Sequence, residues 1–177
     1  MKLKISQIIP SFIITILVLI VLEILTTTLL PILGIEHYRL PFNILIILFL
    51  AFKLETPFIA CLILVVQLFY SIFSVEGWAY GTFAGIIVCI IISYLRDMLH
   101  FDSKLFTVFV TQIFQVVWFI IVSFLIYLRL GTTEYILLKL ARFLPESIVI
   151  SLMAPFFFML LDQIWRVREG GVLGEND

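Results

Sequence analysis

The stretch VVQLFYSIFSVEGWAYGTFAG, residues 65–85, places a short polar break inside a long apolar run. Ser74 and Gly77 interrupt the run, and Trp78 and Tyr80 follow at once. Serine and glycine are common turn residues, whereas tryptophan and tyrosine are enriched where a membrane meets water. The pattern predicts a turn at which the chain leaves a membrane and enters it again.

The composition of the whole chain agrees with a membrane location. Of its 177 residues, 63% are apolar and 13% are charged, and the mean hydropathy is +1.24. A soluble domain is about half apolar and about one quarter charged. We therefore predict an all-α integral membrane protein that is surrounded by lipid and forms one domain over residues 1–177. The net charge of −1 argues against a nucleic-acid partner, which requires a basic surface.

Six apolar segments are candidates for membrane helices. A spanning helix needs about 20 mostly apolar residues. We expect helices because a backbone amide without a hydrogen-bond partner is costly in lipid, and a helix pairs its own backbone groups. The second segment is short for a span, so we expect it to be tilted or enclosed by its neighbours. The prediction is a six-transmembrane-helix bundle with segments at 8–30, 41–52, 57–73, 79–94, 105–128 and 147–165.

The distribution of basic residues predicts that both termini are cytoplasmic. Basic residues favour the cytoplasmic side of a membrane protein. With the N-terminus inside, the inner side has seven of them and the outer side has four. The inner set is Lys2, Lys4, Lys53, Arg96, Lys104, Arg166 and Arg168, and the outer set is Arg39, Arg129, Lys139 and Arg142.

The segment GTTEYILLKLARFLPES, residues 131–147, has an amphipathic pattern. Lys139 and Arg142 share one helical face, and the opposite face is apolar. The pattern predicts a separate helix that lies in the outer interface. We expect Pro145 to end it and Ser147 to cap the next helix. The apolar face consists of Ile136, Leu137, Leu140 and Leu144.

Glu23 is the one acidic residue well inside a predicted span. A carboxyl group within a membrane is costly and raises a functional hypothesis by default. Two interpretations stay open: a proton-coupled or catalytic role, and a structural carboxyl that is hydrogen-bonded by Thr26 and Thr27 on the same face. A proton relay would need a second ionisable group at the same depth, and the spans offer none.

Polar residues also follow one face of the fifth segment. Thr107, Thr111 and Gln115 recur every four residues, and Gln112 lies beside them. Hydrogen bonds between membrane helices contribute about 0.6–2 kcal/mol each. The pattern favours helix–helix contacts, and the alternative is the wall of a small polar cavity.

Motifs for catalysis or cofactor binding are not found in the sequence. Neither a nucleophile elbow, nor a phosphate-binding glycine loop, nor a metal-ligand spacing is present. His37 and His100 belong to turns on opposite sides of the predicted membrane, so they cannot share a metal ion. We expect a protein without enzymatic activity, metal or cofactor.

Four features follow one another from residue 39 onward. RLPFNILIILFLAF places Pro41 before an apolar helix, and SIFSVEGWAYGTFAG places a turn with Gly77 before Gly81. A basic turn follows, YLRDMLHFDSK, and then LPESIVISLMAPFFFMLLDQIWRV, which contains Pro145 and Pro155 and has a basic end. This order, over about three-quarters of the chain, resembles the rod shape-determining protein MreD family.

The resemblance implies a non-enzymatic inner-membrane scaffold of the bacterial machinery for peptidoglycan synthesis and rod shape. It implies binding to MreC and, indirectly, to the actin-like MreB and a glycan polymerase–transpeptidase pair. Pro41, Gly77, Gly81, Pro145 and Pro155 would then be structural or partner-contact positions. One feature departs from the family, whose members often have an aspartate near the position of Tyr70. No role of that acid is expected here.

MreD-like proteins are also similar in fold to the substrate-capture subunits of energy-coupling-factor vitamin transporters. This similarity implies a rival function, the capture of a vitamin in a pocket near the outer face. Such a pocket needs convergent polar side chains, and the outer turns supply Glu36, His37, Arg39, Glu76 and Trp78. The sequence leaves both functions open.

Overall fold

The computed structural model describes residues 5–32, 34, 38–54, 58–74, 77–95, 104–131 and 133–169. Within these residues the chain forms six helices and no strand, so the prediction of an all-α protein is confirmed. The helices are α1 (Ile5–Ile32), α2 (Phe42–Lys53), α3 (Ile59–Ser71), α4 (Trp78–Leu95), α5 (Lys104–Leu130) and α6 (Glu134–Glu169).

Helix α2 forms the centre of the bundle. It packs against each of the other five helices, and every residue from Phe42 to Ala51 is buried. Apart from Asn43, those ten residues are apolar on all sides of the helix. A helix with no polar face has no surface to present to water and is stable when fully enclosed.

The other five helices surround α2 in a closed ring. Helix α1 packs against α3, α3 against α4, α4 against α5, α5 against α6, and α6 against α1. Two polar contacts support this arrangement. The Trp165 indole donates a hydrogen bond to the Thr15 hydroxyl at 3.2 Å, joining α6 to α1. The Lys53 ammonium forms an ion pair with Asp162, joining the end of α2 to α6.

Among the described residues, four helices are long and apolar enough to cross a membrane: Ile8–Ile32 of α1, α4, α5, and Glu134–Trp165 of α6. The 12 residues of α2 and the 13 of α3 are shorter apolar helices. At 1.5 Å per residue they extend only about 18–20 Å, less than the ~30 Å hydrocarbon core. Of the two expectations for the second segment, enclosure by its neighbours is the one observed.

The expected break at Pro145 is wrong. Helix α6 continues through Pro145 and Pro155, so the interfacial helix and the last span form one element, and Ser147 begins no new helix. The Ser147 hydroxyl instead donates to the Leu144 carbonyl at 2.9 Å. Packing of α6 along α5 and α2 explains the continuity, because tertiary contacts offset the hydrogen bond that each proline removes. Similarly, α1 continues past Pro31 to Ile32.

Candidate functional site

A cavity of about 430 Å³ opens at one end of the bundle. Its walls come from the start of α2, the end of α3, the start of α4, the second half of α5 and the first third of α6. Helix ends therefore supply most of the lining. The lining residues are Arg39, Pro41, Asn43, Ile44, Gln67, Tyr70, Ser74, Gly77, Gly81, Trp118, Phe119, Val122, Tyr135, Leu138, Lys139, Arg142, Phe143 and Glu146.

The rim of the cavity is cationic. Arg39 and Arg142 are exposed and Lys139 is half-buried. Glu146 is the one carboxylate among the lining residues that the structure describes. The backbone N–H of Arg39 donates to Glu146 Oε1 at 2.8 Å, and the Arg39 guanidinium donates to the Phe73 carbonyl. Arg39 is therefore held against both α6 and the end of α3.

The floor of the cavity carries two buried amide side chains. Asn43 of α2 is 3% exposed and Gln67 of α3 is 1% exposed. Neither Asn43 Oδ1 nor Gln67 Nε2 has a hydrogen-bond partner in the described part of the chain. Most buried polar atoms in proteins have a partner, so these two atoms have hydrogen-bonding capacity that the described residues do not use.

The Gln67 amide can lie at the floor because Gly81 has no side chain. A Cβ atom on Gly81 would lie 2.2 Å from Gln67 Oε1, closer than real Cβ contacts come. The glycine therefore lets the amide lie directly against α4. The contact is internal to the chain, and it is consistent with a structural part for Gly81.

One wall of the cavity is aromatic and apolar. The rings of Phe119 on α5 and Phe143 on α6 stack with centroids 4.4 Å apart, and Trp118 and Leu138 extend the same lining. The cavity thus combines a charged rim, an amide floor and an apolar wall.

Glu23 is buried in α1 at 5% exposure, and its Oε1 atom has no partner among the described residues. The expected hydrogen bonds from the threonines to its carboxyl group are not formed. The Thr26 and Thr27 hydroxyls donate to the backbone carbonyl of Glu23, at 3.1 and 2.7 Å. Arg39, which belongs to the cavity rim, is close enough to the Glu23 carboxyl for their charges to interact.

Gln112 and Gln115 join α5 to α6 away from the cavity. The Gln115 amide donates to Ser151 Oγ at 2.8 Å and to the Ser147 carbonyl at 3.3 Å. The Ser151 hydroxyl donates to Gln112 Oε1 at 2.8 Å, and the Gln112 amide donates to Ser147 Oγ at 3.1 Å. These residues form a hydrogen-bonded contact between two helices, and none of them lines the cavity.

The remaining positions singled out by the sequence lie at helix ends or within α6. Pro41 immediately precedes α2 and lines the cavity. Gly77 has a φ of +75°, which favours glycine, and it lies just before α4. Pro145 and Pro155 lie inside α6, Pro145 exposed and Pro155 half-buried.

Comparison with protein-family models, with curated proteins and with solved structures finds no match for this chain.

The sequence did not predict the convergence of residues at the cavity. The sequence predicts Lys139 and Arg142 on a separate face from the apolar residues of an interfacial helix. In the structure these two residues line the cavity, while Leu137, Leu140 and Leu144 are exposed. A signal was present in α2, where Asn43 is the single polar residue of an otherwise apolar run. The other outer-turn candidates, Glu36, His37 and Glu76, fall outside the described residues, and Trp78 is not part of the cavity lining.

Proposed function

We propose that this chain is a non-enzymatic scaffold of the bacterial inner membrane, of the MreD type, that works by binding other membrane proteins. The proposed direct partner is an MreC-like periplasmic coiled-coil protein. The actin-like MreB and a glycan polymerase–transpeptidase pair would be reached through it.

The observation that carries the proposal is the placement of the residues that resemble the MreD family. Pro41 precedes the central helix, Gly77 has the left-handed backbone of the turn, and Gly81 lies against Gln67. These placements support the proposal, because they agree with the structural positions that the resemblance implies.

The proposed topology is a six-helix bundle with both termini cytoplasmic. Its support is the position of the cations: Arg39, Lys139 and Arg142 line one cavity, and Arg129 donates to Tyr80 Oη, near the start of α4, at 3.0 Å. All four residues of the proposed outer set therefore lie at one end of the bundle. Lys53, from the inner set, pairs with Asp162 near the other end.

Partner binding would use the outward apolar surfaces of the ring helices. Leu17 on α1, Ile113 on α5 and Leu152 on α6 are between 56% and 60% exposed. Lipid tails provide no hydrophobic drive for association between helices, so such contacts depend on close packing. A bulky substitution at the correct surface should disturb that packing without affecting the interior of the bundle.

The test is recovery of the partner. Depletion of the protein should round the host cells, and purification in mild detergent should recover a periplasmic coiled-coil protein. We expect one of the variants Leu17→Trp, Ile113→Trp and Leu152→Trp to lower that recovery while accumulation stays normal, the other two serving as matched controls. The proposal would be contradicted if depleted cells kept a normal rod shape and no coiled-coil protein was recovered with the purified chain.

The cavity favours a second candidate function, the capture of a vitamin for a transporter. Its volume of about 430 Å³ lies within the range of small-molecule sites, roughly 300–1,000 Å³. Recovery of a vitamin-sized ligand or of a pair of ATPases with the purified protein would support this function over the scaffold.

A further inference from the structure

The cavity pairs three cationic residues at its rim with two unpartnered amide atoms at its floor. We propose that it binds a phosphate ester that also carries free hydroxyl groups, with the phosphate at the rim and a hydroxyl at the floor. The inference rests on the cavity alone and holds or fails independently of the scaffold function.

The rim has the charge and the donors that a phosphate requires. Lys139 and Arg142 are three residues apart in α6, a spacing that places side chains on the same helical face. Arg39 contributes a third cation, and Glu146 is the single carboxylate among the described residues of the lining. Within that described part, positive charge exceeds negative charge, and arginine and lysine are the side chains that commonly bind phosphate oxygens.

The floor requires a group that both donates and accepts hydrogen bonds. Gln67 Nε2 is a donor and Asn43 Oδ1 is an acceptor, and both are buried without a partner within the described ranges. A phosphate oxygen can accept from Gln67 but has no proton to give to Asn43. A hydroxyl group does both, so a hydroxylated phosphate ester satisfies the rim and the floor together.

Two sources could supply this chemistry. One is the headgroup of a membrane lipid such as phosphatidylglycerol, and the other is a soluble sugar or glycerol phosphate. The apolar lining by Leu138, Phe119 and Phe143 offers a surface for hydrocarbon next to the polar groups. The volume of about 430 Å³ accommodates a headgroup or a small soluble ester.

The experiment measures binding of three probes to the full chain purified in detergent, by titration calorimetry. The probes are glycerol phosphate, short-chain phosphatidylglycerol, and short-chain phosphatidylmethanol, which has the phosphate but no hydroxyl. We expect phosphatidylglycerol to bind more tightly than phosphatidylmethanol. If glycerol phosphate also binds, the ligand comes from a soluble source. If phosphatidylglycerol binds tightly and glycerol phosphate does not bind, the ligand is the lipid.

Variants of the protein distinguish the contribution of the rim to binding from that of the floor. The double variant Lys139→Gln/Arg142→Gln should raise the Kd for phosphatidylglycerol about tenfold or more. The matched control Arg129→Gln removes a cation at the same end of the bundle but outside the cavity lining, and it should change the Kd by less than about twofold. Asn43→Leu should abolish the preference for phosphatidylglycerol over phosphatidylmethanol, and Gln67→Ala provides the same comparison if Asn43→Leu does not accumulate.

Three results would overturn the inference. The first is no binding of either hydroxylated probe, and the second is equal binding of phosphatidylglycerol and phosphatidylmethanol by the unmodified chain. The third is a double rim variant that binds as tightly as Arg129→Gln.

Discussion

The side-chain amide of Gln67 occupies the space where a side chain at position 81 would lie. A Cβ atom on Gly81 would be 2.2 Å from Gln67 Oε1 and 3.0 Å from Gln67 Nε2. The amide of α3 therefore lies against the backbone of α4, and a side chain at position 81 would have to displace it. This relationship joins the packing of two helices to the floor of the cavity.

We predict that Gly81→Ala destabilises the protein, because the new methyl group must displace the Gln67 amide. Overpacking of this kind typically destabilises by about 1–3 kcal/mol. The apparent melting temperature in detergent measures the effect. Gln67→Ala combined with Gly81→Ala should recover much of the loss, since the truncated side chain leaves room for the methyl group.

Ala79→Leu is the matched control for Gly81→Ala. Ala79 lies in the same helix but is exposed, so the larger side chain should leave the melting temperature nearly unchanged. A melting temperature of Gly81→Ala equal to that of the unmodified chain would show that the contact with Gln67 is not restrictive.

At Gly77 we expect a substitution to lower the stability of the protein through the backbone conformation alone. Its φ is +75°, and a Cβ atom added there would have no described residue within 4 Å apart from its chain neighbours. Gly77→Val should destabilise by about 1–2 kcal/mol, because a left-handed backbone is unfavourable for a branched residue. Gly77→Asn should cost less, because asparagine tolerates this conformation. Equal melting temperatures for the two variants would contradict the argument.

The hydrogen bonds between α5 and α6 should be coupled. The Ser151 hydroxyl donates to Gln112 Oε1 and accepts from Gln115 Nε2, both at 2.8 Å. Ser151→Ala should therefore destabilise the protein by about 0.6–2 kcal/mol, and Gln112→Leu should cost less in that variant than alone. Ser93→Ala is the control, because the Ser93 hydroxyl donates to the Cys89 carbonyl within its own helix. Additive losses would indicate that the contacts act separately.

For Glu23 we predict a structural role. Glu23→Gln keeps the size of the side chain and an oxygen at the buried Oε1 position, so it should change the apparent melting temperature by no more than about 2–4 °C. Glu23→Lys should be much more damaging, because it would place a second positive charge near Arg39. If Glu23→Gln abolished function in a protein that still inserted and accumulated, a proton-dependent role would replace this interpretation.

The proposed orientation can be tested with reporter fusions. A periplasm-active reporter fused after Val75 should be active, and one fused after Phe101 should be silent, because the first site follows α3 and the second precedes α5. The opposite pattern would reverse the assignment of the cavity to the outer side of the membrane.

The sequence alone was sufficient to predict an all-helical chain and the approximate positions of the first five apolar helices. These properties are local: a run of apolar residues needs burial or lipid, and its backbone must form its own hydrogen bonds where water is absent. Asn43, Gln67 and the outer cations were visible as polar residues, but neither their spacing nor their order along the chain indicated a common site.

The tertiary structure decided the rest. It placed α2 at the centre of the bundle. A short helix that is apolar on all sides is most stable when the other helices enclose it. The tertiary structure kept α6 continuous through Pro145, where packing outweighs the local tendency of proline to end a helix. It also brought Arg39, Lys139 and Arg142 around one cavity with Asn43 and Gln67 at its floor. These outcomes depend on contacts between residues far apart in the chain, which local sequence patterns do not specify.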